Sequence, residues 1–308
     1  MLADMTSATP PFPRVLVPYD GSEPARAALT LALALGKSGA TLVLTTIVDE
    51  TAVIADATST VAYDPTTILE ELDTAGQALL DEAAAACSKA GIVPVTATAR
   101  DTPVAGILAG AHAHACNLIV MGTHARTGVE RLFLGSTTVG VLRSSRVPVL
   151  TVRTVDRIDP VVFARVVVAV DDSDPSDAAA ALAAKLAREA GAIVTAVSVV
   201  DPRPLYASAS DIGFDVGELE RELGTETEAS MHAAIARAGL PDSTAVVVAE
   251  GAPPDAVIAT ADERNATLIV CGTHGRRGVR RLLLGSVAEH LVRTSDVPVL
   301  VVPVNVPA

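Results

Sequence analysis

MGTHARTGVERLFLGSTTVGVLRSSRVPVLTV, Met121 to Val152, and CGTHGRRGVRRLLLGSVAEHLVRTSDVPVLVV, Cys271 to Val302, are two versions of one segment. Gly122 and Gly272, Gly135 and Gly285, and Pro148 and Pro298 each stand 150 residues apart. VLVPYDGSEP from Val15 and VVVAVDDSDP from Val166 repeat the relationship at an offset of 151. A period of that length marks a duplicated domain, not a solenoid repeat. The intervening RTVDRIDPVVFAR, Arg153 to Arg165, carries charges and a proline without helical periodicity. The boundary is therefore expected near Asp156, giving domains 1–155 and 156–308.

Each half alternates strand and helix signals. In the first, short β-branched runs at residues 14–19, 41–48, 93–99, 117–121 and 147–152 predict strands. Helices are expected at 23–36, with Ser22 as cap and Pro24 in the first turn, and at 65–89, 103–114 and 136–144. The second half reads alike, with strands at 165–170, 193–200, 245–250, 267–271 and 297–302 and helices at 175–190, 218–238, 253–263 and 286–294. Continuous apolar strands alternating with helices imply an α/β fold: two tandem doubly wound domains, each a five-stranded parallel sheet covered on both faces. Half of the 308 residues are apolar but only 2% are aromatic, so the core must be built from Ala, Val, Leu and Ile.

A formal charge of −13 argues against a nucleic-acid partner, whose footprint would be a basic face. No run approaches the roughly 18 apolar residues that cross a bilayer, and MLADMTSATPPFPR lacks the apolar core of a signal peptide, so no membrane association and a cytoplasmic location are expected. Cys87, Cys116 and Cys271 have no CxxC spacing and read as small buried apolar residues. His112 and His114 point to different faces of a helix, and no metal site is expected.

In an open parallel sheet, ligands bind beyond the carboxyl ends of the strands, where the strand order reverses. Two loops in each half leave strands there with polar or glycine chemistry: Asp20-Gly21-Ser22 and Gly122 onward, Asp171-Asp172-Ser173 and Gly272 onward. Gly272 and Gly275 permit sharp turning and close approach of backbone to a ligand. Gly285-Ser286 opens a helix whose free N–H groups favour an anion. Arg276, Arg277, Arg280 and Arg281 would concentrate a polyanion locally. Together these features describe a phosphate cradle. Asp171 and Asp20 either accept hydrogen bonds from ribose or end a strand and cap the next helix, and both roles stay open. His124 and His274, beside the glycines, either contact phosphate or a water or pack as turn residues. No partnered base is identifiable, so no catalytic residue is named.

Glycine, two residues, glycine, nine residues, then glycine and serine, met by Gly272, Gly275, Gly285 and Ser286 within VDDS, LIVCGTHG and VPVLVV, resembles the nucleotide-binding branch of the universal stress protein family. The likeness runs from about Arg14 to Val304, as in tandem members. It implies the strand order 3-2-1-4-5, ATP as the nucleotide, and Mg²⁺ arriving on the phosphates. It further implies that Asp171 binds ribose and that Ala169 and Val199 flank adenine. Cys271, Gly272, Gly275, Gly285, Ser286 and Val287 would line ribose and phosphates. In the first half the matching set is Pro18, Asp20, Ile47, Met121, Gly122, Gly135, Ser136 and Thr137. That half departs from the pattern at Ala125, which replaces the second glycine, and the second half departs at Asp172, which stands opposite Gly21.

The family pairs its last strands across a dimer. This implies an intrachain pairing of the two halves here, with a homodimer of chains as a further assembly. Three functions remain: a nucleotide-dependent stress-response sensor or regulator with hydrolysis slow or absent, an ATPase or phosphoryl or nucleotidyl transferase, and a nucleotide-free interaction protein. The chain has no Walker-type phosphate loop, and no dinucleotide fingerprint follows the first strand. Residues 49–65 and 201–217 read as long polar connections able to cover a nucleotide.

Overall fold

The computed structural model describes residues 10–49, 65–123, 134–154, 156–201, 216–275 and 284–304. The chain divides into two compact units, Met1–Val155 and Asp156–Ala308. The first contains β1 (Arg14–Pro18), α1 (Glu23–Lys37), β2 (Thr41–Val48), α2 (Pro65–Lys89), β3 (Val95–Arg100), α3 (Pro103–Ala113), β4 (Leu118–Thr123), α4 (Ser136–Ser144) and β5 (Val149–Arg153). The second contains β6 (Arg165–Ala169), α5 (Asp174–Ala190), β7 (Ile193–Val200), α6 (Val216–Ala238), β8 (Ala245–Glu250), α7 (Pro253–Glu263), β9 (Leu268–Gly272), α8 (Ser286–Thr294) and β10 (Val299–Val302). Among the described residues, no helix is long and apolar enough to cross a membrane.

Every strand pairing within the first unit is parallel, in the order β3-β2-β1-β4-β5. The second unit repeats it as β8-β7-β6-β9-β10. The expected order 3-2-1-4-5 therefore holds in each half. Chain progression turns back at β1 and at β6: the first crossover goes to one neighbour and a later one to the other. In open parallel sheets such a reversal marks the ligand side, which points to the carboxyl ends of β1 and β4, and of β6 and β9.

The central strands are apolar because both their faces are covered. Val15, Leu16, Val17, Leu118, Ile119 and Val120 are fully buried, as are Val168, Leu268, Ile269 and Val270. Helix α1 lays Ala28 and Ala32 on this surface and α5 lays Ala179, Ala180, Ala183 and Ala184, all 0% exposed. Small side chains bring helix and sheet close together, which is how a core almost without aromatics reaches interior density.

Several boundaries differ from the sequence expectation. β5 and β10 start at Val149 and Val299 because a serine holds the preceding residues in a turn. Ser145 Oγ accepts from Val147 N at 3.2 Å and donates to Val147 O at 2.6 Å, and Ser295 does the same with Val297 at 3.2 and 2.8 Å. β3 starts at Val95, not Val93, which is 90% exposed.

Candidate functional site

In the second unit, β6 and β9 pair directly, so the loops that leave their carboxyl ends lie side by side. Ser173 Oγ reaches the carbonyl oxygen of His274 at 3.5 Å and so links the two loops. The first loop is held by its own side chains. Asp171 Oδ1 accepts from Ser173 Oγ at 2.5 Å and from Ser173 N at 3.3 Å, while Asp171 N donates to Ser176 Oγ at 2.9 Å. Ser173 also caps α5, accepting from Ser176 N at 3.4 Å. Asp171 thus organises the loop and the helix start, as in the strand-ending role, and its carboxylate also stands at the crevice beside Gly275. The aspartate-x-serine spacing was the sequence signal for this turn.

Asp20 in the first unit is more open. It is exposed, and Oδ1 accepts from Ser22 N at 3.0 Å, with Ser22 Oγ accepting from Ala25 N at 3.3 Å. Among the described residues, no serine hydroxyl donates to Asp20 as Ser173 does to Asp171.

The glycines act differently from the reading of them as points of backbone turning. None of Gly122, Gly272, Gly275, Gly135 and Gly285 has a positive φ. What Gly122, Gly272, Gly275 and Gly285 need is space. A Cβ on Gly272 would lie 2.6 Å from Pro175 C and 2.7 Å from its oxygen, and one on Gly122 would lie 2.7 Å from Pro24 Cα. Both glycines therefore let a strand end pass against the first turn of α5 or α1. A Cβ on Gly275 would strike Asp171 Oδ2, and one on Gly285 would lie 3.0 Å from Thr273 O and 3.1 Å from His274 Cα.

Helix α8 begins at Gly285 with no side-chain cap. The Gly285 N–H is already used, donating to Thr273 O at 2.8 Å, and Thr273 N donates to Val302 O at 3.1 Å. The first intrahelical bond runs from Glu289 N to Gly285 O. Among the described residues the amides of Ser286, Val287 and Ala288 have no partner. Of the expected phosphate set, Ser286 and Val287 supply amides and Gly285 stands at the N-cap. Glu289 places a carboxylate in this first turn, which counts against an anion and went unnoticed in the sequence. Its counterpart in α4 is the neutral Val139.

α4 likewise starts uncapped at Gly135, followed by exposed Ser136 and half-buried Thr137. Thr138 turns its hydroxyl onto Gly122 O at 3.3 Å, so this extra polar group ties helix to strand end.

The expected adenine-flanking residues sit at neighbouring strand ends: Pro18 and Ile47 on β1 and β2, Ala169 and Val199 on β6 and β7, all half-buried. Ile47 also packs on α3, where a Cβ at Gly106 would lie 2.9 Å from its Cδ1. The side chains of Met121 and Cys271 are buried, at 6% and 3% exposure. Burial pushes the Cys271 thiol up to about 12, so it stays protonated and apolar. Cys87 and Cys116 are buried too, as read from the sequence. Ala125, His124, the four arginines at 276, 277, 280 and 281, and most of the two long connections lie outside the described residues.

The family model described as the universal stress protein family matches twice, over residues 11–153 and 163–303. The chain belongs to the universal stress protein family. It is a tandem member, with one family domain in each half. A universal stress protein of Methanocaldococcus jannaschii is 35% identical over 141 residues, covering 46% of this chain and 82% of the relative. A universal stress protein of Mycobacterium tuberculosis is 30% identical over 191 residues, covering 60% of this chain and 61% of the relative. The crystal structure of a universal stress protein from Archaeoglobus fulgidus superposes with a TM-score of 0.69 at 25% identity, covering 94% of this chain and 98% of that one.

Proposed function

We propose that this tandem universal stress protein binds ATP, with Mg²⁺ carried on the phosphates, at the carboxyl ends of its central strands. In this reading it acts as a nucleotide-dependent sensor or regulator in the cytoplasm. One observation carries it: in the second unit an uncapped helix start, whose first three amides have no partner among the described residues, stands at the strand-order reversal beside a carboxylate loop that meets the glycine loop at Ser173 and His274. The amides suit phosphate oxygens, and an aspartate at the neighbouring strand end suits ribose hydroxyls. The half-buried Ala169 and Val199 offer an apolar shelf suited to a base. The first unit repeats the plan with an exposed Asp20 and the uncapped α4, so it is a second candidate seat.

The test is to denature freshly purified protein, then identify and count the released nucleotide by chromatography and mass spectrometry. Calorimetry with ATP and Mg²⁺ on emptied protein follows. Bound adenine nucleotide, or saturable heat at one or two sites per chain, supports the reading. No nucleotide and no heat favours a nucleotide-free interaction protein. Magnesium-dependent turnover well above that of a variant unable to bind favours the ATPase reading.

A further inference from the structure

In both units the loop that leaves the first strand passes through the left-handed region at its second residue: Gly21 has a φ of 73° and Asp172 a φ of 58°. Glycine takes that conformation without strain, whereas an aspartate has to be held in it. The helix residue facing the turn differs in step. Leu79 of α2 and Ser230 of α6 stand 151 residues apart, as Gly21 and Asp172 do, and the buried pairs Leu80 and Met231, and Ala83 and Ala234, keep the same offset. Leu79 fills the space at Gly21, where an added Cβ would lie 2.6 Å from Leu79 Cδ2. Serine at the equivalent place is shorter, and its hydroxyl donates to Asp172 Oδ2. Loop and helix have thus changed together, from glycine beside leucine to aspartate beside serine.

Asp172 lies between the two residues that fix the carboxylate of this loop. Asp171 Oδ1 accepts from Ser173 Oγ at 2.5 Å and from Ser173 N at 3.3 Å, so the direction of that carboxylate depends on the backbone turn made at Asp172. In the first unit Asp20 Oδ1 accepts from Ser22 N at 3.0 Å across Gly21, a turn that glycine makes unaided. The second unit makes the same turn with a residue whose side chain is anchored on α6.

Resting on the nucleotide reading above, we infer that Ser230 is a positioning residue of the second unit's nucleotide site: through Asp172 it holds the turn that aims the Asp171 carboxylate at the ribose hydroxyls. Ribose recognition in the second unit therefore depends on α6, a link that the first unit, with glycine in the turn, does without.

The test uses the full chain with ¹³C-labelled methyl groups, titrated with Mg-ATP and, separately, with its 2′,3′-dideoxy analogue. The methyl signals of Ala169 and Val199 report the second unit and that of Ile47 the first. Ser230→Ala should weaken Mg-ATP binding in the second unit about fivefold, and leave unchanged both the first unit and the dideoxy analogue, which offers Asp171 no hydroxyl. Adding Asp172→Gly, which gives the second unit the glycine turn of the first, should restore the lost affinity. Equal weakening of both nucleotides, or no recovery in the double variant, would show that Ser230 serves only α6 and overturns this inference while the nucleotide reading stands. Equal Mg-ATP affinity in wild type and Ser230→Ala does the same. Failure of the wild-type second unit to bind either nucleotide overturns both.

Discussion

Gly275 lies against Asp171 so closely that a methyl group on its Cα would collide with Asp171 Oδ2. The obstacle is the outer end of a side chain, which can rotate away, so the fold tolerates Gly275→Ala better than the site does. Stability should fall by less than about 1 kcal/mol, because φ at this position is not positive and only the carboxylate must shift. Nucleotide binding by the second unit should weaken severalfold. Urea unfolding read beside calorimetry separates the two effects, and a large loss of stability would refute the assignment.

Gly122 and Gly272 make the opposite prediction. Their missing side chains face the backbone of Pro24 and Pro175, which cannot rotate aside. Gly122→Ala and Gly272→Ala should each cost about 3 kcal/mol, by pushing β4 from α1 and β9 from α5. The urea midpoint measures this with no ligand present. Substitutions here are consequently poor probes of nucleotide binding, whatever their effect on it.

Tyr19 is buried and donates its hydroxyl to Glu82 Oε1 at 2.7 Å, joining β1's exit to α2. Burial first, and then the bond to the Glu82 carboxylate, push its phenol up to about 12. The folded value stands above the unfolded one near 10, so the stability it contributes is complete below pH 10 and is lost as pH rises through 12. The wild-type urea midpoint should therefore drop more steeply between pH 10 and 12 than that of Tyr19→Phe. Equal slopes would show that Tyr19 does not titrate late.

Asp172 holds a left-handed φ of 58° and accepts a hydrogen bond from Ser230 of α6. Asp172→Gly and Asp172→Ala both remove that bond, but only alanine must place a Cβ in the left-handed region. Asp172→Ala should be less stable than Asp172→Gly by about 1 kcal/mol in thermal or urea unfolding. In the sequence Asp172 stands out only as the residue opposite Gly21. The structure shows a carboxylate tied to α6, where Gly21 in the first unit lies under Leu79, whose Cδ2 would be 2.6 Å from an added Cβ.

The helices of the two units are fastened by ion pairs of reversed polarity: Arg26 on α1 donates to Glu82 on α2 at 3.2 Å, whereas Arg237 on α6 donates to Asp177 on α5 at 3.1 Å. All four side chains are about half exposed, so solvent screens each pair and leaves it a small contribution. A double-mutant cycle in high salt should reduce both coupling energies toward zero. A coupling that survives salt would point to desolvated contacts instead.

The repeat, the strand and helix order and the loops at the strand ends could be read directly from the chain, because apolar periodicity and turn residues are local properties. Val15 to Val17 and Leu118 to Val120 announce buried parallel strands wherever they stand. What the glycines do could not be read this way. Gly272 looks the same whether it makes room for a ligand or for Pro175, and only the packing of α5 on β9 distinguishes them.

The approach of Ser173 to His274 and the bond from Asp171 N to Ser176 Oγ were equally opaque, since they depend on a separate segment or on the direction of a side chain in a turn. The linear order of residues thus determined the duplicated α/β architecture and the family to which the chain belongs, through patterns that survive without knowledge of neighbours. Tertiary structure alone decided which amides stay without a partner among the described residues and which glycine lies against a carboxylate, because these depend on distances between segments brought together only by folding.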